Sequence, residues 1–256
     1  PPDSSQKGLS HVRQALYLWY NRGCPSDLER RHFFIMKAVF VDFEMNPIGR
    51  NQKEARRICK GEIIEIGAVK IDEDGKEISS YKEYVLPEYT TAMNQTCQEL
   101  TGITMEMLAG KPHFRQAFDH FLNWCNEGSP NAYEMFAWSE NDWRQLDCEL
   151  RLKEIDEHDD RVRWMLDHWQ NFQQIYCNLL GLDNVISLDK AVSTLGETFD
   201  GQMHDALWDA RNTSKLYVLS KKKEEFRDIM QPIIDATKPA EPLTFSLADA
   251  FRAARK

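Results

Sequence analysis

The chain has 256 residues, 42% hydrophobic and 29% charged, with a formal net charge of −9 at pH 7. That length and balance suit one sizeable α/β domain with extensions, and no apolar run reaches the ~18–20 residues of a membrane span. The acidic balance argues against binding nucleic acid by blanket charge attraction, but not against an acidic site that turns locally positive once it holds cations.

Residues 1–36 read as an N-terminal extension, non-native or partly disordered: the chain opens on Pro1, PPDSSQKGL is too polar to pack, and Met36 directly precedes the first clear strand. His11 to Asn21 has the apolar content of a short helix. Residues 33–45 are mostly apolar, but the run is too short and too far along the chain for a secretion signal. Lys37 to Glu44 (KAVFVDFE) is apolar on both faces until its end, the signature of a central, doubly covered strand. Glu62 to Asp72 predicts a second strand, broken at Gly67. The turn Asp72-Glu73-Asp74-Gly75 then leads into a third strand over Ile78 to Leu86, paired with the second as a hairpin.

Pro112 to Asn126 has helical spacing, with Phe114, Phe118, Phe121, Leu122 and Cys125 on one side. Ala132 to Trp138 predicts a fourth strand, and Ser139 an N-cap for a helix from Glu140 to Arg151. Residues 154–163 form a charged stretch, and helical patterns cover 169–181, 188–197 and 205–220. The main folded domain is set at residues 37–222, with 223–256 a C-terminal helix or loosely packed tail. A hairpin meander followed by alternating helices and strands implies an α/β fold with a mixed sheet covered on both faces. A site belongs at the ends of its central strands.

The six cysteines, Cys24, Cys59, Cys97, Cys125, Cys148 and Cys177, are scattered and include no C-x-x-C pair. They read as plain thiols in a reduced compartment, and the expected location is cytoplasmic.

Asp42 and Glu44 are two apart on a strand, so they share a face. Carboxylates ending a buried strand are costly unless a cation offsets their charge, although Asp-x-Glu alone also fits a solvated turn. Asp142 falls in the first turn of a predicted helix, where the helix dipole favours any acid. His204 and Asp209 are five apart, ~140° out of phase on a helix. They can cooperate only if His204 sits on the loop and Asp209 one turn inside. A histidine near a helix N-terminus tends to stay neutral, the state a general base needs.

These motifs occur in one order: Val41-Asp42-Phe43-Glu44, Trp138-Ser139-Glu140-Asn141-Asp142, and His204-Asp205-Ala206-Leu207-Trp208-Asp209-Ala210. Together they resemble the DEDDh group of the DnaQ-like 3′→5′ exonuclease superfamily. Glu62-Ile63-Ile64-Glu65-Ile66-Gly67-Ala68 resembles that group's second strand. Tyr84-Val85-Leu86-Pro87 through Cys97-Gln98-Glu99-Leu100-Thr101-Gly102-Ile103-Thr104 resembles the subgroup typified by the histone-mRNA 3′ exonuclease and the bacterial KapD-type enzymes. The resemblance covers about residues 37–222; Trp208 and Asn141 depart from it.

The resemblance implies an RNase H-like mixed five-stranded sheet flanked by helices on both faces. It also implies two Mg²⁺ or Mn²⁺ ions held by Asp42, Glu44, Asp142 and Asp209, with His204 as general base and Glu44 also catalytic. The expected substrate is a single-stranded nucleic acid 3′ end, RNA favoured over DNA, and the product a nucleoside 5′-monophosphate. Met45, Leu100 and Thr101 would hold the terminal nucleotide. Hard oxygen ligands suit such cations, and two of them can stabilise both the attacking and leaving oxygens of a phosphodiester.

Residues 50–60 (RNQKEARRICK) carry five cations against one acid; Arg56 and Arg57 are candidates for a phosphate grip, or part of a solvated loop. The acidic cluster Asp156 to Asp160 reads as a solvated loop rather than a metal site. Two competing functions stand beside the main one: a DNA exonuclease of proofreading type, and a non-catalytic nucleic-acid or protein-binding module on the same scaffold. The sequence carries no signal for oligomeric state and none for a membrane partner.

Overall fold

The apolar run that opens the domain becomes Lys37–Pro47 (β1). It is followed by strands Gly61–Ile71 (β2), Glu77–Tyr84 (β3), Tyr133–Ala137 (β4) and Trp169–Asn171 (β5). These form one sheet of order β3-β2-β1-β4-β5. The structure is a computed structural model that describes residues 37–128, 130–196, 198–222, 226 and 228–231. The expectations for residues 1–36 and for most of the tail lie outside the described residues.

β1 is antiparallel to β2 and parallel to β4; β2 and β3 form the expected antiparallel hairpin, and β4 and β5 are parallel. Alternation along β1 feeds two cores. Val39, Val41 and Phe43 pack with Phe114–Asn126 (α4), Glu140–Leu152 (α5) and Asp160–Asp167 (α6). Ala38 and Phe40 pack on the other face with Phe172–Leu180 (α7), Leu188–Thr194 (α8) and Ala206–Lys221 (α9). Three shorter helices, Lys53–Ile58 (α1), Gln95–Thr101 (α2) and Met105–Leu108 (α3), fill the connections.

Four sequence expectations are corrected. β2 is unbroken at Gly67, which instead leaves room for α9: a methyl there would stand 2.1 Å from the Leu207 amide nitrogen. The fifth strand lies inside the stretch expected to be helical from 169. Three residues are too few to show alternation, and Trp169 falls in step with the apolar positions of α7. The charged stretch 154–163 contains the start of α6, N-capped by Asp159; its exposed charges mask buried Val162 and Met165. Finally, Cys59 and Cys148 are joined by a disulfide, with Cα atoms 5.1 Å apart, so they are not plain thiols. Cys97, Cys125 and Cys177 are free and buried. Among the described residues no helix is long and apolar enough to cross a membrane.

Candidate active site

The row Ala38, Phe40, Asp42, Glu44 changes from apolar to acidic where β1 outruns its neighbour. β4 pairs with β1 only as far as Val41. Beyond it, the Phe43 amide donates to Asp142 Oδ1 at 3.3 Å, so a carboxylate at the start of α5 takes the place of a strand partner. Ser139 is the N-cap of α5, accepting from the Asn141 amide, and its hydroxyl donates to Asp142 Oδ2 at 3.3 Å.

α9 brings the remaining groups. Its sheet-facing positions Ala206, Ala210, Thr213 and Ser214 are small and buried. Gly67, opposite Asp42 in the ladder, lets the first turn of the helix rest on β2. Asp205 caps that turn by accepting from the Leu207 and Trp208 amides. His204 lies just outside it, exposed, with φ +62°. Asp209 is one turn inside, and its carboxylate accepts the His204 main-chain amide. The expected split of loop histidine and helix acid is therefore what the backbone adopts.

All five side chains gather at one end of the central strand. Donor atoms of Glu44, His204 and Asp209 lie within 4.8 Å of one another. Asp42 and Asp142 lie near enough for each carboxylate to resist the ionisation of its neighbours. Burial, then Asp142, Asp209 and Glu44, push Asp42 well above the ordinary carboxylate range. Burial, then Asp209 and Glu65, push Glu44 up to about 8. Asp209 is pushed up by burial to about 7, against the His204 amide. Asp142 rises by burial to about 6, held back by the Phe43 amide and the Ser139 hydroxyl.

Such a cluster asks for positive charge. Among the described residues Asp209 Oδ1 is buried with no hydrogen-bond partner, and the acids supply only oxygen donors. The residues fit hard divalent cations. The decoy acids of 156–160 are otherwise engaged: Asp159 caps α6 and pairs with Arg161, and Asp160 pairs with Arg163.

α2 forms the neighbouring wall. Asn46 of β1 holds the segment before it, accepting from the Asn94 amide and donating to the Ala92 carbonyl. The half-buried Met45 is tied to α2 through the Cys97 thiol, 3.2 Å from its carbonyl oxygen. Leu100 is 49% exposed, while the Thr101 hydroxyl donates to the Cys97 carbonyl and accepts from the Ile103 amide. A methyl on Gly102 would lie 3.7 Å from Gln202 Nε2, so α2 borders the His204 loop. Arg56 and Arg57 stand apart on α1, which packs near the far end of α5. Arg56 donates to the Ile48 carbonyl, and Arg57 pairs with Glu54 in solvent.

Sequence reasoning missed two groups. Glu65 faces Glu44 across the β1–β2 ladder and is buried. Lys82 of β3 bridges Glu65, at 2.8 Å, and Asp205. An acid flanked by the apolar residues Ile63, Ile64 and Ile66 was the available signal for Glu65. Nothing in the sequence joins Lys82 to a residue 123 positions away.

A mixed sheet presenting acids at the end of its central strand, with further acids from α5 and α9 and a histidine from the loop before α9, is the arrangement of a nuclease-type hydrolase. The exonuclease family model (RNase_T) matches residues 39–217, and the chain belongs to that family. It is 26% identical to human 3′-5′ exoribonuclease 1 over 166 residues, 61% of this chain and 45% of that protein. It is 27% identical to Xenopus laevis ERI1 exoribonuclease 2 over 232 residues, 82% of this chain and 32% of that protein. The chain thus spans less than half the length of these curated relatives. In fold it is similar to the nuclease domain of 3′hExo, a DEDDh family member bound to rAMP. The TM-score is 0.62 and the identity 22%, over 75% of this chain and 95% of that one. It is also similar to cell-death related nuclease 4, with TM-score 0.61 and 19% identity over 74% of this chain and 64% of that one. The architecture is the RNase H-like nuclease fold.

Proposed function

We propose that this chain is a divalent-metal-dependent 3′→5′ exonuclease that releases nucleoside 5′-monophosphates from the 3′ ends of single-stranded RNA. The observation that carries the reading is the meeting of Asp42, Glu44, Asp142, Asp209 and His204 at one end of the central strand. The four carboxylates would hold two cations, Mg²⁺ or Mn²⁺. When bound, such a pair supplies Lewis-acid stabilisation to the attacking and leaving oxygens of the scissile phosphodiester.

The chain's own groups do the rest. His204, exposed at the mouth, accepts the proton of the attacking water; Glu44 keeps that water between imidazole and carboxylate. Leu100 offers an exposed apolar face to the terminal base, and Thr101 and the Met45 backbone border the sugar. Arg57, whose pair with Glu54 is exposed, can exchange that partner for an upstream phosphate, with Arg56 beside it. Preference for RNA is supported by relatives named as exoribonucleases and by the rAMP held by the 3′hExo domain. Cytoplasmic location is proposed on the buried free thiols of Cys97, Cys125 and Cys177.

The test is mononucleotide release from matched 3′-labelled RNA and DNA oligonucleotides with Mn²⁺, comparing the wild type with Asp42→Asn. Faster release from RNA, abolished in the folded variant, is expected. A wild type that frees no mononucleotide from either strand would hand the case to a non-catalytic binding module. Preference for DNA would hand it to the proofreading type.

A further inference from the structure

We infer that Asn212 and Trp208 are positioning residues for His204, acting together as a clamp on the loop that presents it; this rests on the general-base reading above. A base on an exposed loop has a problem. Proton transfer needs hydrogen-bond reach, and a misplacement of ~1 Å can cost on the order of 10²-fold in rate. His204 also holds a left-handed conformation, φ +62°, which a non-glycine residue keeps only when its surroundings impose it.

The surroundings are specific. Asn212, two turns into α9 and 2% exposed, reaches back to the start of the loop. Its Oδ1 accepts the Asp200 amide at 3.2 Å. Its Nδ2 donates to the Asp200 carbonyl at 3.0 Å and to the Trp208 carbonyl at 2.8 Å. Only a carboxamide offers both an acceptor and two donors; an aspartate would leave both carbonyls without their bonds. The next residue, Gly201 (φ +73°), lies flat on the Trp208 indole, where a methyl would stand 2.1 Å from a ring atom. Arg211 lies 4.9 Å from the centre of that ring and is fixed by Glu77 of β3.

The far end is tied by Asp205, which caps α9 and is held by Lys82. The four residues between these anchors, Gly201 to His204, have a floor and two fixed ends. Glycine at 201 is the residue that floor requires.

A double-mutant cycle tests this. Asn212→Ala should lower kcat on single-stranded RNA about 30-fold. KM and Mn²⁺ affinity, read by calorimetry, should stay within about twofold, because no acid ligand moves. In a His204→Ala background the same change should alter the residual rate by less than about twofold, because the group it positions is gone. Trp208→Ala should behave alike with a smaller loss, about tenfold, and it serves if Asn212→Ala fails to fold by circular dichroism. Equal losses with and without His204, or a fall in Mn²⁺ affinity matching the fall in rate, would overturn the clamp. An inactive wild type, or a fully active His204→Ala, would instead sink the underlying general-base reading.

Discussion

Asp209 divides its carboxylate between two tasks. One oxygen fixes the His204 amide, and Oδ1 is left buried and, among the described residues, unbonded beside other acids. In the absence of cations this side chain is a source of repulsion as much as of order. Asp209→Asn should therefore abolish turnover yet raise the metal-free stability at pH 8, by on the order of 1 kcal/mol, read by urea unfolding in chelator. A variant less stable than wild type there would mean that the amide bond outweighs the repulsion. At this scale the sequence was readable where residue type states its purpose: two acids closing an apolar strand, and a histidine outside a helix with an acid inside. It gave only a weak signal for Glu65 and was silent on Lys82 and Asn212, whose roles come from partners on other strands or from bonds to main-chain atoms that no side-chain pattern encodes.

Among the elements, β2 and α9 meet more closely than ordinary helix-on-sheet packing allows. Gly67 provides the gap, and Ala206 and Ala210 fill it without a bulky side chain. Gly67→Ala should push the first turn of α9 outward, cost about 3 kcal/mol of stability and reduce turnover at least ~10²-fold even in the folded fraction. Normal turnover in this variant would show that the helix start has latitude. The long, strongly patterned elements were legible: β1, β4, α4, α5 and α9 fall within a few residues of expectation. The short ones were not, because β5 and α1 have too few residues to display a period, and α6 hides its apolar positions behind charge. The Cys59–Cys148 link was equally invisible, since a pairing across 89 residues depends on how α1 lies on α5. Cys148→Ser should lower stability by about 2–4 kcal/mol in oxidising buffer and hardly at all in reductant, leaving mononucleotide release unchanged. Equal melting curves with and without reductant in the wild type would remove the bond from solution.

The molecule as a whole carries its acids against their preference. Glu44, Asp209 and Asp142 are raised to about 8, 7 and 6, and Asp42 is also raised; an unfolded chain ionises such groups near 4. Between those limits the fold retains protons that the unfolded state has released, so metal-free stability falls as pH climbs from about 4 to about 8. Saturating Mn²⁺ should cancel most of that decline at pH 8. At 100 times Kd it adds about 2.7 kcal/mol, or roughly 5–10 °C in Tm for a domain of this size. Scanning calorimetry with chelator and with Mn²⁺ at pH 5.5 and 8 measures both effects, and coincident traces at pH 8 would refute the charge argument.

The placement of α9 also has a consequence in time. The ribosome makes all five strands and three of the four acids before it reaches Ala206. Until then the Phe40 face of the sheet lacks its cover, and Asp209 does not exist. Closure of the apolar interior and completion of the acid set are one event, delivered by a single helix. Under the proposed function, a half-made chain is harmless to the message still being read.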